Sequence, residues 1–240
     1  MKISIIIPVL NEAHKIAADI RAAAEYLISN QLDGEIIIVD DGSADNTVSV
    51  AEQVSVPKSI GKQVVSYSPH RGKGYAIRTG MDLTSGTIVM FIDSGSCIPW
   101  SDAAKGITLV RSGVCDIAHA SRQLDGSVIL RPQATSRCIT SLLFRVMLKI
   151  VMRVPKKFTD TQCGLKIYRG EIGRRLYRQC VTDGFMFDVE VILRALDSEY
   201  RIQEFPVTWQ ADPDSRLAQM KVPLQIAREL VAIKRALSTR

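Results

Sequence analysis

The amino-acid sequence predicts an α/β fold in which a mainly parallel sheet carries helices on both faces. Short apolar runs alternate with helical stretches along the first half of the chain, and these runs lack a polar face, as strands covered on both sides do. Acidic residues directly follow several runs, at the strand ends where ligands bind in such sheets. A chain of 240 residues with 46% apolar residues can bury a substantial core, which excludes intrinsic disorder.

The predicted elements follow one another in a regular order. The first strand covers residues 2–9, because KISIIIPV is rich in β-branched residues and continuously apolar. A helix is predicted over residues 11–30, where apolar residues such as Ile16 and Ile20 recur at helical spacing. Further strands are predicted over 35–40, 63–68, 87–93 and 115–120, and further helices over 73–84 and 101–112.

Basic charge is concentrated in one part of the chain. The formal net charge is +6, but residues 131–180 hold 12 Lys and Arg against 2 Asp and Glu. Residues 136–153 read as an apolar helix whose basic residues share one face, namely Arg137, Arg145, Lys149 and Arg153. Two interpretations stay open for this helix and for the basic pattern at 221–240. Each is either a core-packed helix with a solvated basic face or a helix in a membrane interface.

Several classes of protein are excluded by what the sequence lacks. The five scattered cysteines form no CxxC motif, which indicates reduced thiols rather than a disulfide framework or a zinc site. The N-terminal apolar run soon meets Pro8, so we expect no signal peptide, and the longest apolar stretches are too short to predict a transmembrane helix. Basic residues are not interleaved with aromatic ones, so we expect no nucleic acid as a partner. A cytoplasmic location follows from these expectations.

Three acidic residues stand at predicted strand ends. Asp40 and Asp41 end the run EIIIVDD, and Asp93 ends TIVMFID. Such carboxylates can bind a ribose, a base edge or a metal, while the alternative is that they cap the following helices. Segment 70–74 (HRGKG) places cations and glycines before a helix, a weak pattern for anion binding. Because the chain has no GxGxxG motif, a dinucleotide oxidoreductase has little support.

An ordered set of motifs resembles a known enzyme family. The segments IIIPVLNE, IIIVDDGSADNT and RGKGYAIRTGM, followed by Asp93, are similar to family-2 glycosyltransferases with a GT-A fold. In the second half, SRQLDGS, FTDTQCGLKIYR, GFMFDVEVILRA and IQEFPVTW resemble dolichyl- and polyprenyl-phosphate glycosyltransferases, nearest to the dolichyl-phosphate β-glucosyltransferase branch. The resemblance implies an inverting transfer of a hexose, with glucose from UDP-glucose expected, to a polyprenyl phosphate at the cytoplasmic membrane face.

The resemblance also implies roles for particular residues. Asp93 meets the metal and the diphosphate, Arg122 contacts phosphates, and Asp188 is the candidate base. Glu190 is a second candidate base, and the alternative for both acids is that they order the acceptor site or pair with a nearby Arg. The residues expected at the nucleotide-sugar site are Pro8, Glu12, Asp40, Asp41, Lys73, Asp93 and Gln162. The acceptor phosphate is expected to bind Arg122, Arg131 and Arg137.

One position departs from the family pattern. The family carries Asp-x-Asp at the metal site, whereas here Gly95 stands in place of the second carboxylate. Mg²⁺ is commonly held by one or two carboxylates together with substrate phosphates, so we expect Asp93 alone to bind Mg²⁺ or Mn²⁺. The expected organisation is a catalytic domain over 1–215, in which 131–157 contains the basic helix, followed by a basic helix over 216–240.

The expected partners follow from the same resemblance. They are a nucleotide sugar, a polyprenyl or dolichyl phosphate, the membrane surface with which the protein associates peripherally, and a separate membrane protein. Two rival hypotheses stay open. One is transfer to a glycan or other hydroxyl acceptor, and the other, prompted by Gly95, is nucleotide-sugar binding without catalysis.

Overall fold

The computed structural model describes residues 1–132, 148, 150–211 and 222–238, and it confirms the predicted α/β fold. Arg137 and most of the predicted helix at 136–153 lie outside the described residues. The strands are β1 Lys2–Val9, β2 Asp33–Asp40, β3 Ile60–Ser66, β4 Ile88–Ile92, β5 Ile117–Ser121, β6 Val128–Arg131, β7 Leu165–Arg169, β8 Ile202–Pro206 and β9 Thr208–Gln210. The helices are α1 Ile16–Ser29, α2 Thr47–Gln53, α3 Lys73–Leu83, α4 Trp100–Arg111, α5 Gly170–Gln179, α6 Phe187–Asp197 and α7 Val222–Ser238.

Seven strands form the main sheet in the order β3-β2-β1-β4-β7-β5-β8. Strands β1 to β4 pair in parallel, whereas β7 is antiparallel to both of its neighbours. From β1 the chain proceeds to β2 and β3 on one side, and β4 returns to the other side. The gap between the carboxyl ends of β1 and β4 is therefore the topological switch point, where open α/β sheets bind ligands.

The sheet is covered on both faces, which explains its continuously apolar strands. Along β2, Ile36 and Ile38 join a core beneath α1, α2 and α4, while Ile37 and Val39 join a core beneath α3 and α5. Because side chains alternate along a strand, one apolar run serves two cores. The four described cysteines are free thiols, as the sequence predicts.

Helix α7 packs its apolar side against the protein. Leu230 and Ile233 are buried in a third cluster together with residues of α6, while Arg228 and Lys234 are exposed. This arrangement corresponds to the core-packed interpretation of the C-terminal basic pattern. In the part of the chain that the structure describes, every helix is too short or too polar to span a membrane.

Glu35, at the amino end of β2, links this strand to β1 and to the segment that precedes β4. Its carboxylate accepts hydrogen bonds from Ser4 Oγ at 2.5 Å and from the backbone N–H of Ser85 at 2.7 Å, and Lys2 Nζ lies 2.9 Å away. Burial alone would raise the pKa of Glu35, but the bonds from Ser4, Ser85 and Lys2 outweigh it and lower the pKa to about 2. The ionised form is therefore stabilised by folding.

We expect Glu35→Gln to destabilise the protein by about 2 kcal/mol at pH 7, because a charged acceptor is replaced by a neutral one. A depressed folded-state pKa contributes stability that is present above the unfolded value of 4.5 and lost as pH falls towards about 2. Urea unfolding of both proteins at pH 7, 4 and 2.5 measures this difference. A difference that stays constant over this pH range would contradict the assignment.

Candidate active site

The site lies at the switch point of the sheet. Asp93 directly follows β4, and Arg122 directly follows β5, which runs parallel to β4. Because β7 runs antiparallel, its amino end meets the carboxyl end of β4, where Leu165 pairs with Ile92. This arrangement brings residues 160–164, which precede β7, beside Asp93. The sequence alone assigned these two segments to one site only through the family resemblance.

Asp93 is held by close contacts on two sides. Its backbone N–H donates to the carbonyl oxygen of Gly164 at 2.9 Å, and Lys73 Nζ lies 2.6 Å from its Oδ1. A Cβ on Gly164 would lie only 2.0 Å from Asp93 Oδ2, so glycine at this position allows the carboxylate to keep its place. Asp93 Oδ1 is buried, and it accepts no hydrogen bond of ordinary geometry from the described residues. This oxygen is suited to contact a cation.

The turn after Asp93 is shaped by a carboxylate from α1. Asp19 is buried and accepts hydrogen bonds from Ser94 Oγ at 2.6 Å and from the backbone N–H of Gly95 at 3.1 Å. Gly95 adopts a φ of +95°, a conformation that favours glycine. A local backbone requirement therefore accounts for glycine at the position where the family pattern has an acid. Asp19 lies within the apolar pattern of α1, and no sequence motif marks it as part of the site.

The glycine-rich segment 70–74 binds an anion that belongs to the protein itself. Asp41 is buried and accepts hydrogen bonds from the backbone N–H groups of Arg71 at 2.8 Å and Gly72 at 2.9 Å, and its Oδ2 lies 2.8 Å from Nδ1 of His70. Gly72 has a φ of +120°, and a Cβ there would lie 2.5 Å from the carbonyl oxygen of Asp183. The glycine thus allows the loop to pack closely, while Asp41 holds it in shape.

Asp40 is also engaged by protein groups. Its carboxylate accepts hydrogen bonds from Ser43 Oγ, from the Ser43 backbone N–H at 3.1 Å and from Ser66 Oγ at 2.9 Å. Asp40 and Asp41 therefore lie at the expected strand end with most of their bonding capacity used locally. A role in binding the nucleoside stays a prediction for both residues.

Arg122 is fixed by a bidentate ion pair. Its Nε lies 2.6 Å from Asp160 Oδ2 and its Nη2 lies 2.8 Å from Asp160 Oδ1, and the guanidinium is 5.2 Å from the ring centre of Trp209. Glu204 of β8 in turn accepts hydrogen bonds from the backbone N–H groups of Thr159 and Asp160. Burial would raise the pKa of Asp160, but Arg122 outweighs it and the pKa is lowered. Both groups are therefore charged at neutral pH, and their ion pair orients the guanidinium before any ligand binds.

A second buried ion pair lies beneath Lys73 and Asp93. Lys166 of β7 is fully buried, and its Nζ donates to Asp188 Oδ1 at 2.5 Å and to the carbonyl oxygen of Cys163 at 3.0 Å. Burial raises the pKa of Asp188 despite the attraction of Lys166 and Lys73. A buried and ion-paired carboxylate positions its neighbours rather than meeting an acceptor proton. Lys166 was not predictable from the sequence, because one lysine in an apolar strand forms no recognisable pattern.

Glu190 has a structural partner, as the sequence alternative allowed. It is fully buried and accepts hydrogen bonds from Arg194 Nη2 at 2.7 Å and from the backbone N–H of Thr182 at 2.9 Å. These bonds hold the segment that leads to Asp183, which forms ion pairs with Arg71 and Arg78. Glu190 therefore supports the 70–74 loop from the opposite side to Asp41.

Two polar groups before β7 have no hydrogen-bond partner among the described residues. They are the hydroxyl of Thr161 and the side-chain amide nitrogen of Gln162, both buried. Buried donors without partners are uncommon and are expected to meet a ligand or water. Their neighbour Cys163 is fully buried, and burial raises the pKa of its thiol to about 12, so it is a packed thiol and not a nucleophile.

The other expected residues lie around this centre. Pro8 pairs with Val39 at the end of β1, and the backbone N–H of Glu12 donates to Thr47 Oγ1 at 2.8 Å. Arg131 is exposed at the end of β6, opposite Gln210 of β9. Since the backbone N–H of Gln210 donates to Cys97, this small sheet borders the turn after Asp93.

Comparisons with known proteins agree with this geometry. The family model described as "Glycosyl transferase family 2" matches residues 4–172. The dolichyl-phosphate beta-glucosyltransferase of Saccharomyces cerevisiae is 25% identical over 98% of this chain and 74% of its own length. The enzyme of the same name from Homo sapiens is 26% identical over 97% of this chain and 75% of its own length.

The fold also matches a solved structure. Glucosyl-3-phosphoglycerate synthase from Mycobacterium tuberculosis, in complex with Mn²⁺, uridine diphosphate and phosphoglyceric acid, aligns with a TM-score of 0.70 and 19% identity over 99% of this chain and 78% of its own. This likeness shows the GT-A architecture. With the family model covering most of the chain, the protein belongs to glycosyl transferase family 2 and is a glycosyltransferase with a GT-A fold.

Proposed function

We propose that this enzyme is a hexosyltransferase that moves glucose from UDP-glucose to a polyprenyl or dolichyl phosphate. The observation that carries the proposal is the buried Oδ1 of Asp93, which contacts Lys73 but accepts no hydrogen bond from the described residues. It lies at the switch point of the sheet, at the same edge as the oriented guanidinium of Arg122 and as the side-chain amide nitrogen of Gln162, which has no hydrogen-bond partner among the described residues. We assign the cation contact to Asp93, the phosphate contact to Arg122 and the sugar contact to Gln162.

The charges of the site support a divalent cation, Mg²⁺ or Mn²⁺. Three pairs, Lys73 with Asp93, Lys166 with Asp188 and Arg122 with Asp160, are neutral when taken together. A diphosphate therefore meets little excess positive charge from these groups. A divalent cation bound by Asp93 would supply that charge and would stabilise the nucleoside diphosphate as it leaves.

The protein's own residues supply the remaining steps. Arg122, held by Asp160, is positioned to bind a phosphate without further ordering. We assign Pro8, Glu12, Asp40 and Asp41 to the nucleoside side, and Thr161 and Gln162 to the donor sugar. A sugar hydroxyl as acceptor would need a general base, whereas a phosphate monoester is largely a dianion at pH 7 and attacks unaided. Burial of Asp188 and Glu190, both ion-paired, suits an acceptor that needs no base.

The relatives named above and the basic segment support the acceptor. Both relatives are named for dolichyl phosphate, and residues 131–180 carry 12 Lys and Arg against 2 Asp and Glu. A segment with this excess of basic residues favours an anionic membrane and a lipid phosphate. We assign the acceptor phosphate to Arg122 and Arg131, with Arg137, outside the described residues, as a third member. Peripheral association with the cytoplasmic membrane face, and a membrane partner protein, belong to the same proposal.

A panel of labelled donors tests the proposal directly. Radiolabelled UDP-glucose, UDP-galactose and GDP-mannose are each incubated with polyprenyl phosphate, with 3-phosphoglycerate or with free glycans, with and without Mg²⁺ or Mn²⁺. We expect label in the organic phase only with polyprenyl phosphate and a divalent cation, and the highest rate with UDP-glucose. Label that stays in the aqueous phase as a new glycoside would overturn the lipid acceptor. Nucleotide binding without turnover in any arm would favour the non-catalytic alternative.

A further inference from the structure

Lys73 and the proposed metal require the same oxygen atom. Lys73 Nζ lies 2.6 Å from Asp93 Oδ1, and that oxygen accepts no other contact of hydrogen-bond geometry from the described residues. A second carboxylate at position 95 would offer another oxygen, but glycine stands there. The nearest acid to this turn, Asp19, is occupied by Ser94 and Gly95. One carboxylate therefore serves two cations.

Lys73 has a second anionic neighbour that it can keep. Asp188 interacts electrostatically with Lys73 and with Asp93, and it is fixed by Lys166 Nζ at 2.5 Å. Both amines lie near the ring of Phe91, at 5.8 Å for Lys73 and 5.3 Å for Lys166. Positive and negative side chains thus alternate through the cluster. When Lys73 Nζ moves away from Asp93, it therefore still has the negative charge of Asp188 nearby.

The surroundings of Lys73 allow its side chain to move while its backbone stays fixed. The flanking glycines are packed tightly, since a Cβ on Gly72 would lie 2.5 Å from the Asp183 carbonyl oxygen and a Cβ on Gly74 would lie 2.8 Å from Phe187. The lysine side chain itself is 22% exposed and has four rotatable carbon–carbon bonds. Exchange of partners therefore requires a rotamer change and no rearrangement of the loop.

We propose that Lys73 is a displaceable cation that competes with the divalent cation for Asp93 and, once displaced, pairs with the incoming diphosphate while Asp188 retains it at the site. The inference rests on the proposed function, because it assumes a metal-bound nucleoside diphosphate as donor. It adds that binding of the metal and release of Lys73 are one coupled step. The lysine ammonium thereby weakens metal binding before the donor arrives and strengthens diphosphate binding afterwards.

Titration of Mn²⁺ alone, followed by electron paramagnetic resonance of the free ion, tests the competition. We expect Lys73→Met to bind Mn²⁺ at least about tenfold more tightly than the wild type, since a positive charge leaves the metal ligand. At saturating Mn²⁺, we expect the same variant to bind UDP at least about tenfold more weakly, measured by calorimetry. We expect Asp188→Asn to weaken Mn²⁺ binding, because Lys73 then relies on Asp93 alone.

Lys105→Met is the matched control. Lys105 Nζ lies 2.6 Å from Asp102 Oδ1 on α4, so this variant removes an ion pair of equal length away from Asp93. We expect unchanged Mn²⁺ and UDP affinity.

Equal or weaker Mn²⁺ binding by Lys73→Met would overturn the competition, and weaker binding of both ligands would indicate a purely structural lysine. If Asp188→Asn fails to fold, Lys73→Met alone tests the competition, because its Mn²⁺ affinity is expected to rise while its UDP affinity falls. If these affinity shifts are observed but no donor in the panel transfers sugar to polyprenyl phosphate, the proposed donor or acceptor is wrong and the competition between Lys73 and the metal still stands.

Discussion

Asp93→Asn is expected to lower the transfer rate by at least about 10³-fold, because the carboxamide keeps the shape of the side chain but removes the charge that would hold the metal diphosphate. The fold should survive. Asp93 lies at a strand end with a side chain that is 37% exposed, and its backbone hydrogen bond to Gly164 is independent of the side chain. Initial rates with the donor and acceptor identified by the panel measure the loss, and thermal unfolding within about 4 °C of the wild type verifies the fold.

The same measurement on Asp102→Asn provides a comparison with a buried acid outside the site. Asp102 accepts a hydrogen bond from the backbone N–H of Thr208 at 2.6 Å and pairs with Lys105, so its loss should reduce stability more than catalysis. Full activity in a well-folded Asp93→Asn variant would exclude Asp93 from the catalytic centre.

Gly164→Ala is expected to lower transfer by at least about 100-fold, although the change adds only a single methyl group. Its Cβ would lie 2.0 Å from Asp93 Oδ2 and 2.3 Å from Asp93 Cγ, so the carboxylate must rotate away or the two strands must separate. A misplacement of about 1 Å at a catalytic group costs roughly this factor in rate. We expect kcat to fall more than affinity for the nucleotide, as measured by steady-state kinetics and by UDP titration.

Gly61→Ala is the matched control for this prediction. Gly61 lies on β3 at the edge of the main sheet. A Cβ there would meet only Glu35, with its nearest atom Cβ at 3.2 Å, and it lies far from Asp93 along the sheet order. This variant should transfer sugar at nearly the wild-type rate. A Gly164→Ala enzyme as active as Gly61→Ala would show that the position of Asp93 tolerates displacement, contrary to the geometry.

Much of the fold could be predicted from local patterns. Strands β1, β2 and β4 were recognisable because burial on both faces requires an unbroken apolar run, and Asp40 and Asp93 marked their ends. The boundaries were less accurate. The predicted helix at 11–30 begins only at Ile16, because Asn11 has a φ of +50° and the residues after it form turns that position Glu12 against Thr47.

Local patterns predicted fewer of the strands in the second half of the chain. The antiparallel strand β7 and the small sheet of β6 and β9 were not predicted, since their runs of three to five residues carry too little periodicity. The direction of β7 matters for function, because it places Gly164 against Asp93. The backbone N–H groups that bond to Asp41 and Glu190 were equally hidden, because they belong to residues 8 to 31 positions away in the chain.

The sequence by itself determined the alternation of strands and helices, the acidic strand ends and the family to which the chain belongs, because these depend on residue types at short, fixed spacings. Only the tertiary structure decided what each acid contacts. Asp41 holds the 70–74 loop, Asp188 pairs with Lys166, and Asp93 has a buried oxygen that lies against Lys73 Nζ and accepts no hydrogen bond of ordinary geometry from the described residues. The physical reason is that a carboxylate's role depends on which cations and N–H groups reach it, and those come from distant strands whose direction the local sequence does not encode.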